Sequence, residues 1–424
     1  MKLNRRQFNS LLLAGTSSVT APLPVLGQAK SKVVVIGGGA GGATAARYLA
    51  VGGKDKVDVT LIENSDTYTT CFYSNLYLGG FRTFDSITHS YAGLRSSFGV
   101  NIIKGYATEI DSDRKEVKMQ DGTSVPYDRV VVAPGIDFIY DSVPGYTQEA
   151  AQLAPHAWQA GAQTQLLKNK MDALEDGQNI VIIPPPNPYR CPPGPYERAS
   201  MMAHMIKEKG FKNSLVSILD VKPKFSKQGL FSEGWQQHYP DIIEWLSPDV
   251  HGGIISVDAK AGVVETDLDN FEAAVINVIP AMKAGAVAGN SGLTDDSGYC
   301  PVDGASMRSR MDENVFVIGD ASIAGAMPKS GFSANSQAKI AVMNVLGDLT
   351  GSEVTPAQFA NVCWSLISTD NAVKVGAFYS ANESGEIVAD SKFISEAGED
   401  GGVRAKTYQE SVGWYAGITT DMFG

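Results

Sequence analysis

The fold of this 424-residue chain is indicated by the segment Lys32–Ala50, K-V-V-V-I-G-G-G-A-G-G-A-T-A-A-R-Y-L-A. It begins with a β-branched apolar run, Val33–Ile36, which predicts a buried strand. Gly37, Gly39 and Gly42 follow with the spacing G-x-G-x-x-G, and the alanine-rich stretch after them predicts a helix. This order of strand, glycine turn and helix is typical of a dinucleotide-binding unit.

The next predicted strand, Val57–Glu63, ends in a carboxylate 21 positions after Gly42. At that distance such units bind a ribose of the nucleotide, so Glu63 is the predicted ribose ligand. Gly37 would form the turn, and Gly39 would let the backbone approach the pyrophosphate. Gly42 would allow close packing of the helix on the sheet. The flanking strand, helix and acid make a liganded site a better interpretation than a bare glycine turn.

Two later segments indicate which nucleotide is bound. Tyr127–Gly135 predicts another buried strand, and Asn314–Ala321, N-V-F-V-I-G-D-A, predicts a third that ends at Asp320. In two-domain flavin reductases the second of these elements places a carboxylate on the ribityl–phosphate chain. NAD alone would not need Asp320, and we therefore predict FAD.

A second strand–turn–helix unit has an unusual turn. Ile180–Ile183 predicts a strand, Pro195–Lys209 a helix and Leu215–Asp220 a further strand. The turn between the first two, Pro184–Pro195, contains seven prolines and a single glycine. Proline offers no N–H to a phosphate, and its ring blocks the close approach that glycine allows. We therefore predict an NAD-binding-like domain, residues 147–282, that binds no NAD(P).

Together these patterns predict an α/β fold with two Rossmann-like dinucleotide-binding-type domains, of the FAD/NAD(P) type, and a C-terminal α+β interface domain. Residues 30–146 and 283–350 would form a discontinuous FAD-binding domain. Residues 351–424 contain no further nucleotide unit and would form the interface domain.

Residues 1–29 have the features of a twin-arginine signal peptide. Arg5 and Arg6 precede the apolar run Leu11–Ala14, and Gly27–Ala29 supplies a small-residue cleavage site. This predicts export of the folded protein to the periplasm, with a mitochondrial transit peptide as the alternative. No other apolar run is long enough to span a bilayer.

The composition excludes several other functions. A formal net charge of −11 makes nucleic acid a poor partner. The four cysteines and five histidines lack the spacing of a metal site, so no metal is predicted, and without C-x-x-C-H this chain would hold no c-type haem itself. In an oxidising compartment four cysteines can form disulfides, and they allow three pairings.

Four residues are candidates for redox chemistry. Cys191 lies four residues before a predicted helix, whose N-terminus would favour the thiolate, although a structural disulfide is the alternative. Glu197 either complements that helix dipole or, with a burial-raised pKa, accepts a proton. Lys329 either stabilises a reduced flavin from the N1–C2 edge or is a solvated loop lysine. Cys71 would be a buried thiol, or a disulfide partner of Cys300, on the residues alone.

The chain resembles the flavoprotein subunits of flavocytochrome c sulfide dehydrogenase, a family related to the sulfide:quinone reductases and built on the glutathione-reductase-type fold. The resemblance covers the whole chain and is carried by T-T-C-F-Y-S-N at 69–75, C-P-P-G-P-Y-E-R-A-S at 191–200, C-P-V-D at 300–303, V-I-G-D at 317–320, M-P-K-S-G-F-S-A-N-S-Q at 327–337 and N-V-C-W-S at 361–365.

The resemblance implies FAD bound covalently through its 8α-methyl group to Cys71. It also implies a redox disulfide between Cys191 and Cys363, and a haem-bearing cytochrome c subunit that accepts the electrons. The expected reaction is oxidation of hydrosulfide to sulfur or polysulfide. There are three alternatives. One is a membrane-docked sulfide:quinone reductase, but the C-terminal residues are too polar for membrane docking. The others are an NAD(P)H-dependent reductase, which the proline turn opposes, and an electron-transfer flavoprotein with no substrate of its own.

Overall fold

The computed structural model describes residues 29–424. The predicted export signal, residues 1–29, lies outside the described residues except for Ala29. Within residues 29–424 no helix has the length and the apolar character needed to cross a membrane.

The first nucleotide unit lies in an eight-stranded sheet. From one edge to the other, its strands are Ser322–Ile323, Cys300–Asp303, Arg308–Ser309, Val315–Val317, Arg129–Val132, Ser31–Ile36, Val57–Glu63 and Asn101–Lys104. The last five are parallel to one another. Strands from the two predicted parts of the FAD-binding domain therefore pair in one sheet, and their carboxyl ends meet at one edge.

The central unit is a separate sheet of four parallel strands in the order Ile243–Leu246, Val216–Leu219, Ile180–Ile183 and Val275–Val278. Every residue of Ile180–Ile183 is buried, which is why its sequence is uniformly apolar. The helix after the proline turn, Gly194–Glu208, begins and ends one residue earlier than predicted. The turn prolines precede it at Pro192 and Pro193, and Pro193 takes the capping position.

The chain ends in an antiparallel sheet and a long helix. Strands Gln358–Ser368, Asn371–Ala381 and Ile387–Ile394 pair in sequence order, and helix Gly401–Phe423 packs on the middle strand. Strand Gln358–Ser368 also packs against the central helix Gly194–Glu208 and against helix Gly331–Thr350 of the first unit. This strand therefore lies where all three parts of the chain meet.

The remaining elements complete the two units. The other α-helices are Ala40–Gly53, Ser74–Leu78, Ala92–Phe98, Ala162–Asp172, Gln228–His238, Pro248–His251 and Ala286–Asn290. Short 3-10 turns occupy Lys54–Lys56, Asp85–Ile87, Tyr140–Ser142, Ala150–Gln152 and Gly319–Ala321. The small sheets pair Thr67–Thr69 with Thr88–Ser90, Ile136–Ile139 with Ala281–Ala284, Ala107–Asp111 with Glu116–Met119 and Ser124–Pro126, and Ile254–Asp258 with Val263–Thr266 and Asn270–Glu272.

Candidate active site

A cleft of about 560 Å³ follows the carboxyl ends of the strands in the first sheet. Its volume lies within the range of about 300–1,000 Å³ that is usual for ligand pockets. The glycine turn, Glu63 and Asp320 all line it. The structure thus brings the predicted nucleotide ligands, which are distant in sequence, to one place.

The three fingerprint glycines are required for different reasons. A Cβ at Gly42 would lie 1.8 Å from the Gly37 carbonyl oxygen, so the helix can approach the turn only with glycine there. Gly37 has φ +91°, and a Cβ on it would lie 2.3 Å from the Ala133 carbonyl oxygen. A Cβ at Gly39 would meet no protein atom closer than 3.6 Å. Packing therefore does not require glycine at position 39, and the approach of a ligand remains as the reason for it.

The two carboxylates of the cleft differ in how they are paired. Glu63 accepts hydrogen bonds from the backbone N–H groups of Gly38 at 2.6 Å and Ser65 at 3.0 Å. Asp320 has one oxygen 3.6 Å from the Arg190 guanidinium, while its other oxygen is buried without a hydrogen-bond partner among residues 29–424. A buried carboxylate oxygen without a donor is costly, and a ligand hydroxyl would satisfy it. The cleft therefore fits a dinucleotide with a polyol chain, as FAD has.

A second cavity of about 90 Å³ adjoins the cleft. Cys71, Arg190 and Ser330 line both spaces, and Cys191 and Cys363 line the second one. All four cysteines of the described chain are free thiols. Cys300 is fully buried in an edge region of the first sheet and reaches neither cavity. The structure therefore gathers three cysteines around one small space and leaves the fourth apart.

Aromatic side chains form much of the cavity wall. Trp364 and Trp414 line it together, with ring centroids 5.4 Å apart. Phe332 stacks on Trp414 at 5.9 Å. The indole N–H of Trp364 is buried without a hydrogen-bond partner among residues 29–424. This small, mainly apolar space with a free donor suits a small anion better than a bulky substrate.

Cys191 has a backbone conformation that is unusual for its residue type. Its φ is +58°, and its backbone N–H donates to the Lys329 carbonyl at 2.8 Å. Burial, together with Cys363 and Glu197 nearby, raises the pKa of the Cys191 thiol well above its usual range. Burial therefore opposes the thiolate that we expected the helix N-terminus to favour.

Cys363 receives a hydrogen bond from its own strand. The Asn361 amide nitrogen lies 3.4 Å from the Cys363 sulfur, and the Asn361 oxygen accepts from the Ser330 hydroxyl at 2.6 Å. That hydroxyl in turn accepts from the Ser333 N–H, so its proton is free to fix the orientation of the amide. Burial raises the pKa of the Cys363 thiol, and the Asn361 hydrogen bond and the Lys227 charge partly oppose that rise.

Glu197 joins separate segments of the chain. One carboxylate oxygen accepts from the Asn75 amide at 2.8 Å, and the other accepts from the Leu366 backbone N–H at 2.9 Å. Burial raises the pKa of this carboxyl, in the direction expected from the sequence. The side chain lines the cavity as well. A structural role is thus evident, and the catalytic role stays a prediction.

Lys329 is a partly buried side chain with protein partners, not a solvated loop lysine. Its ammonium donates to the carbonyls of Asp320 at 2.9 Å and Ser322 at 2.8 Å and lies 3.8 Å from the centroid of the Tyr299 ring. Burial lowers its pKa to about 8. It contributes to the wall of neither cavity, so its role beside the flavin stays a prediction.

Sequence reasoning missed four polar residues of the site. Arg190, which separates the two cavities, could have been noticed as the one cation in the proline turn. Asn75 and Asn361 lie inside the motifs quoted above, but uncharged amides gave no signal of their own. Lys227 lies 136 positions from the cysteine whose carbonyl it contacts, and no local pattern marks it.

In the second unit, protein groups occupy the place of a ribose ligand. Asp220 directly follows the strand Val216–Leu219, a position similar to that of Glu63 at the end of its strand in the first unit. The Asp220 side chain, however, is fully buried. It accepts hydrogen bonds from the Tyr196 hydroxyl at 2.6 Å and the Trp245 indole at 3.0 Å, and Lys222 pairs with it at 2.7 Å. Lys222 also donates to the Pro185 carbonyl at 2.8 Å. Lys222 thus links the Asp220 carboxylate to the proline turn.

Three family models match the chain. The model described as the central part of the sulfide dehydrogenase (flavocytochrome c) flavoprotein chain covers residues 164–280. The model described as flavocytochrome c sulphide dehydrogenase, flavin-binding, covers 355–423, and a pyridine nucleotide-disulphide oxidoreductase model covers 31–183. The chain is a flavoprotein of the flavocytochrome c sulfide dehydrogenase type, related to the sulfide:quinone oxidoreductases. It is thus an FAD-binding oxidoreductase of the sulfide-oxidising families.

Known proteins extend this relationship. The mitochondrial sulfide:quinone oxidoreductase of Dictyostelium discoideum is 25% identical over 338 residues, which are 76% of this chain and 72% of that protein. A sulfide-quinone reductase of Aquifex aeolicus is 28% identical over 183 residues, 42% of this chain and 40% of its own. The structure of the Aquifex aeolicus sulfide:quinone oxidoreductase superposes with a TM-score of 0.69 over 92% of each chain at 17% identity. This superposition confirms the predicted fold. The model for 355–423 is described as flavin-binding, a role that we had not assigned to that domain.

The contrast between two glycines gives a test of the FAD cleft. We expect Gly42→Ala to lower the free energy of unfolding by about 1–3 kcal/mol through overpacking, and to lower flavin content with it. Gly39→Ala should fold with an unchanged melting temperature in the flavin-free protein and still bind FAD more weakly. Thermal unfolding and flavin titration of both apoproteins would measure this, and wild-type FAD affinity in Gly39→Ala would contradict the assignment.

Proposed function

We propose that this protein oxidises hydrosulfide through a Cys191–Cys363 redox disulfide and FAD, and passes the electrons to a cytochrome c subunit in the periplasm. The observation that carries the proposal is the shared cavity of Cys71, Cys191 and Cys363, which adjoins the FAD cleft. The two thiols that the family resemblance pairs lie on different domains, and the fold brings them to one wall.

The chain supplies each part of the proposed sulfur chemistry. Hydrosulfide attacks one sulfur of the disulfide, so that a new S–S bond forms as the old one breaks, giving a persulfide and a thiolate. The small aromatic cavity has a size that suits such a substrate. Glu197, whose pKa is raised by burial, is suited to hold the substrate proton. Trp364, whose indole N–H is buried without a hydrogen-bond partner among residues 29–424, also lines the cavity.

FAD, when bound, accepts an electron pair and releases single electrons, as a haem acceptor requires. Cys71 is placed for a covalent tether because it belongs to the walls of both the cleft and the cavity. Such a tether would retain the cofactor in the periplasm. Arg5 and Arg6 support that location. The filled Asp220 site supports a reaction that does not use NAD(P)H.

Replacing Cys191 tests the disulfide. In Cys191→Ser, reduction of the flavin by sulfide should slow by about 10³-fold or more, the scale on which loss of a covalent catalytic group acts. Stopped-flow absorbance would follow it, and Cys300→Ala serves as the matched control because Cys300 reaches neither cavity. Wild-type flavin reduction in Cys191→Ser would exclude the disulfide mechanism.

The covalent tether predicts where the flavin goes when the protein is denatured. After acid precipitation the yellow flavin should stay with the wild-type pellet and pass into the supernatant for Cys71→Ser, because the serine hydroxyl forms no thioether. A colourless wild-type pellet would remove Cys71 from this role.

The electron acceptor separates a cytochrome-linked enzyme from a sulfide:quinone reductase. We expect a haem protein to co-purify from the native host, and sulfide oxidation by the purified complex to reduce that haem. A soluble short-chain quinone should turn over at least about tenfold more slowly. Quinone reduction is the alternative to test because the relatives from Dictyostelium discoideum and Aquifex aeolicus are named as sulfide:quinone enzymes. Faster reduction of quinone, with no haem protein present, would favour that alternative.

A further inference from the structure

Lys227 is a buried cation that the proposed chemistry does not yet use. It lies directly before the helix Gln228–His238 of the central unit, and its backbone φ is +62°. Only 7% of the residue is exposed. A left-handed backbone at a non-glycine residue costs free energy and persists where the surroundings enforce it. The chain therefore holds this side chain in one place.

Its ammonium is directed at the strand that carries Cys363. It donates to the Cys363 carbonyl at 3.1 Å and to the Ser365 hydroxyl at 2.8 Å. Both acceptors are uncharged, and within residues 29–424 Lys227 forms no salt bridge, unlike the buried Lys222, which pairs with Asp220. A buried charge without a counter-ion is costly. The geometry thus leaves a positive charge available to a neighbouring group that becomes negative.

The ionisable groups that face this charge belong to the cavity. They are Cys363 on the strand Gln358–Ser368, Cys191 in the proline turn and Glu197 on the helix after that turn. Each of them raises the pKa of Lys227, but burial lowers it by more. The net effect of burial is a pKa lowered to about 8. Two further groups act through these residues: Arg198 interacts with Glu197, and Tyr379 interacts with Cys363.

We propose that Lys227 is a positioning residue that supplies the positive charge for the Cys363 sulfur when that sulfur is released as a thiolate. The proposal rests on the proposed function. Attack of hydrosulfide on the Cys191 sulfur forms a persulfide there, breaks the Cys191–Cys363 bond and leaves the electron pair on Cys363. Asn361 donates a hydrogen bond to that sulfur, and Lys227 offsets its charge from the other domain. No further oxidant or reductant enters this step.

Thiol reactivity in the reduced holoprotein tests this role. Alkylation of Cys363 by iodoacetamide is followed against pH and quantified by mass spectrometry of its peptide. In Lys227→Gln, which retains a hydrogen-bond donor but no charge, the midpoint should rise by about one unit or more, so alkylation at pH 8 slows about tenfold. Lys227→Arg, which keeps the positive charge, should retain the wild-type midpoint. Lys224→Met, which removes an exposed lysine three residues away, should match the wild type.

The Lys227→Arg variant supplies a second measurement if Lys227→Gln does not fold. The wild-type profile should bend near pH 8 as the ammonium loses its proton, and the bend should vanish in Lys227→Arg because a guanidinium stays protonated. Equal profiles in the wild type and the Lys227 variants, while the wild type still oxidises sulfide, would overturn the role of Lys227 alone. A wild type whose flavin sulfide cannot reduce would instead overturn the proposed function.

Discussion

The partly buried carboxylate of Glu197 joins the three segments that carry the cavity cysteines. It belongs to the helix that follows Cys191, accepts from Asn75 four residues after Cys71, and accepts from Leu366 three residues after Cys363. Hydrogen bonds to an ionised acceptor are stronger than neutral ones, and a buried carboxylate left unpaired is costly. The relative positions of the three sulfurs therefore depend on this one side chain.

A buried guanidinium supports that carboxylate. Arg198 donates to the Asn75 oxygen at 3.1 Å, which leaves the Asn75 amide nitrogen free to face Glu197. Its other two nitrogens donate to the carbonyls of His156 and Ala157 and to the Asn277 side chain, so each nitrogen of the guanidinium donates at least one hydrogen bond. Burial lowers the pKa of Arg198 to about 9. The site is thus a desolvated network in which burial raises the pKa of the sulfurs, and neighbouring charges and hydrogen bonds modify that rise.

The two nucleotide-type units show how one architecture serves two purposes. In the first, Asp320 keeps an unpaired oxygen at the wall of an open cleft. In the second, Asp220 is satisfied by Tyr196, Trp245 and Lys222, and Lys222 ties it to the proline turn. Protein groups therefore satisfy the Asp220 carboxylate. The proline turn that Lys222 contacts also carries Cys191.

The sequence alone predicted the fold class and the glycine turn with Glu63 and Asp320, because these depend on local patterns of glycine and burial. From the prolines of the second turn it predicted a unit that binds no NAD(P), and the family resemblance predicts the pairing of Cys191 with Cys363; both stay predictions. The tertiary structure showed in addition that burial raises the pKa of the Cys191 thiol and that Glu197 bridges three segments. It also showed that Lys227 contacts the strand that contains Cys363, 136 positions away in the sequence. Such contacts join residues remote in sequence, and desolvation depends on everything packed around a group, so no local pattern encodes either of them.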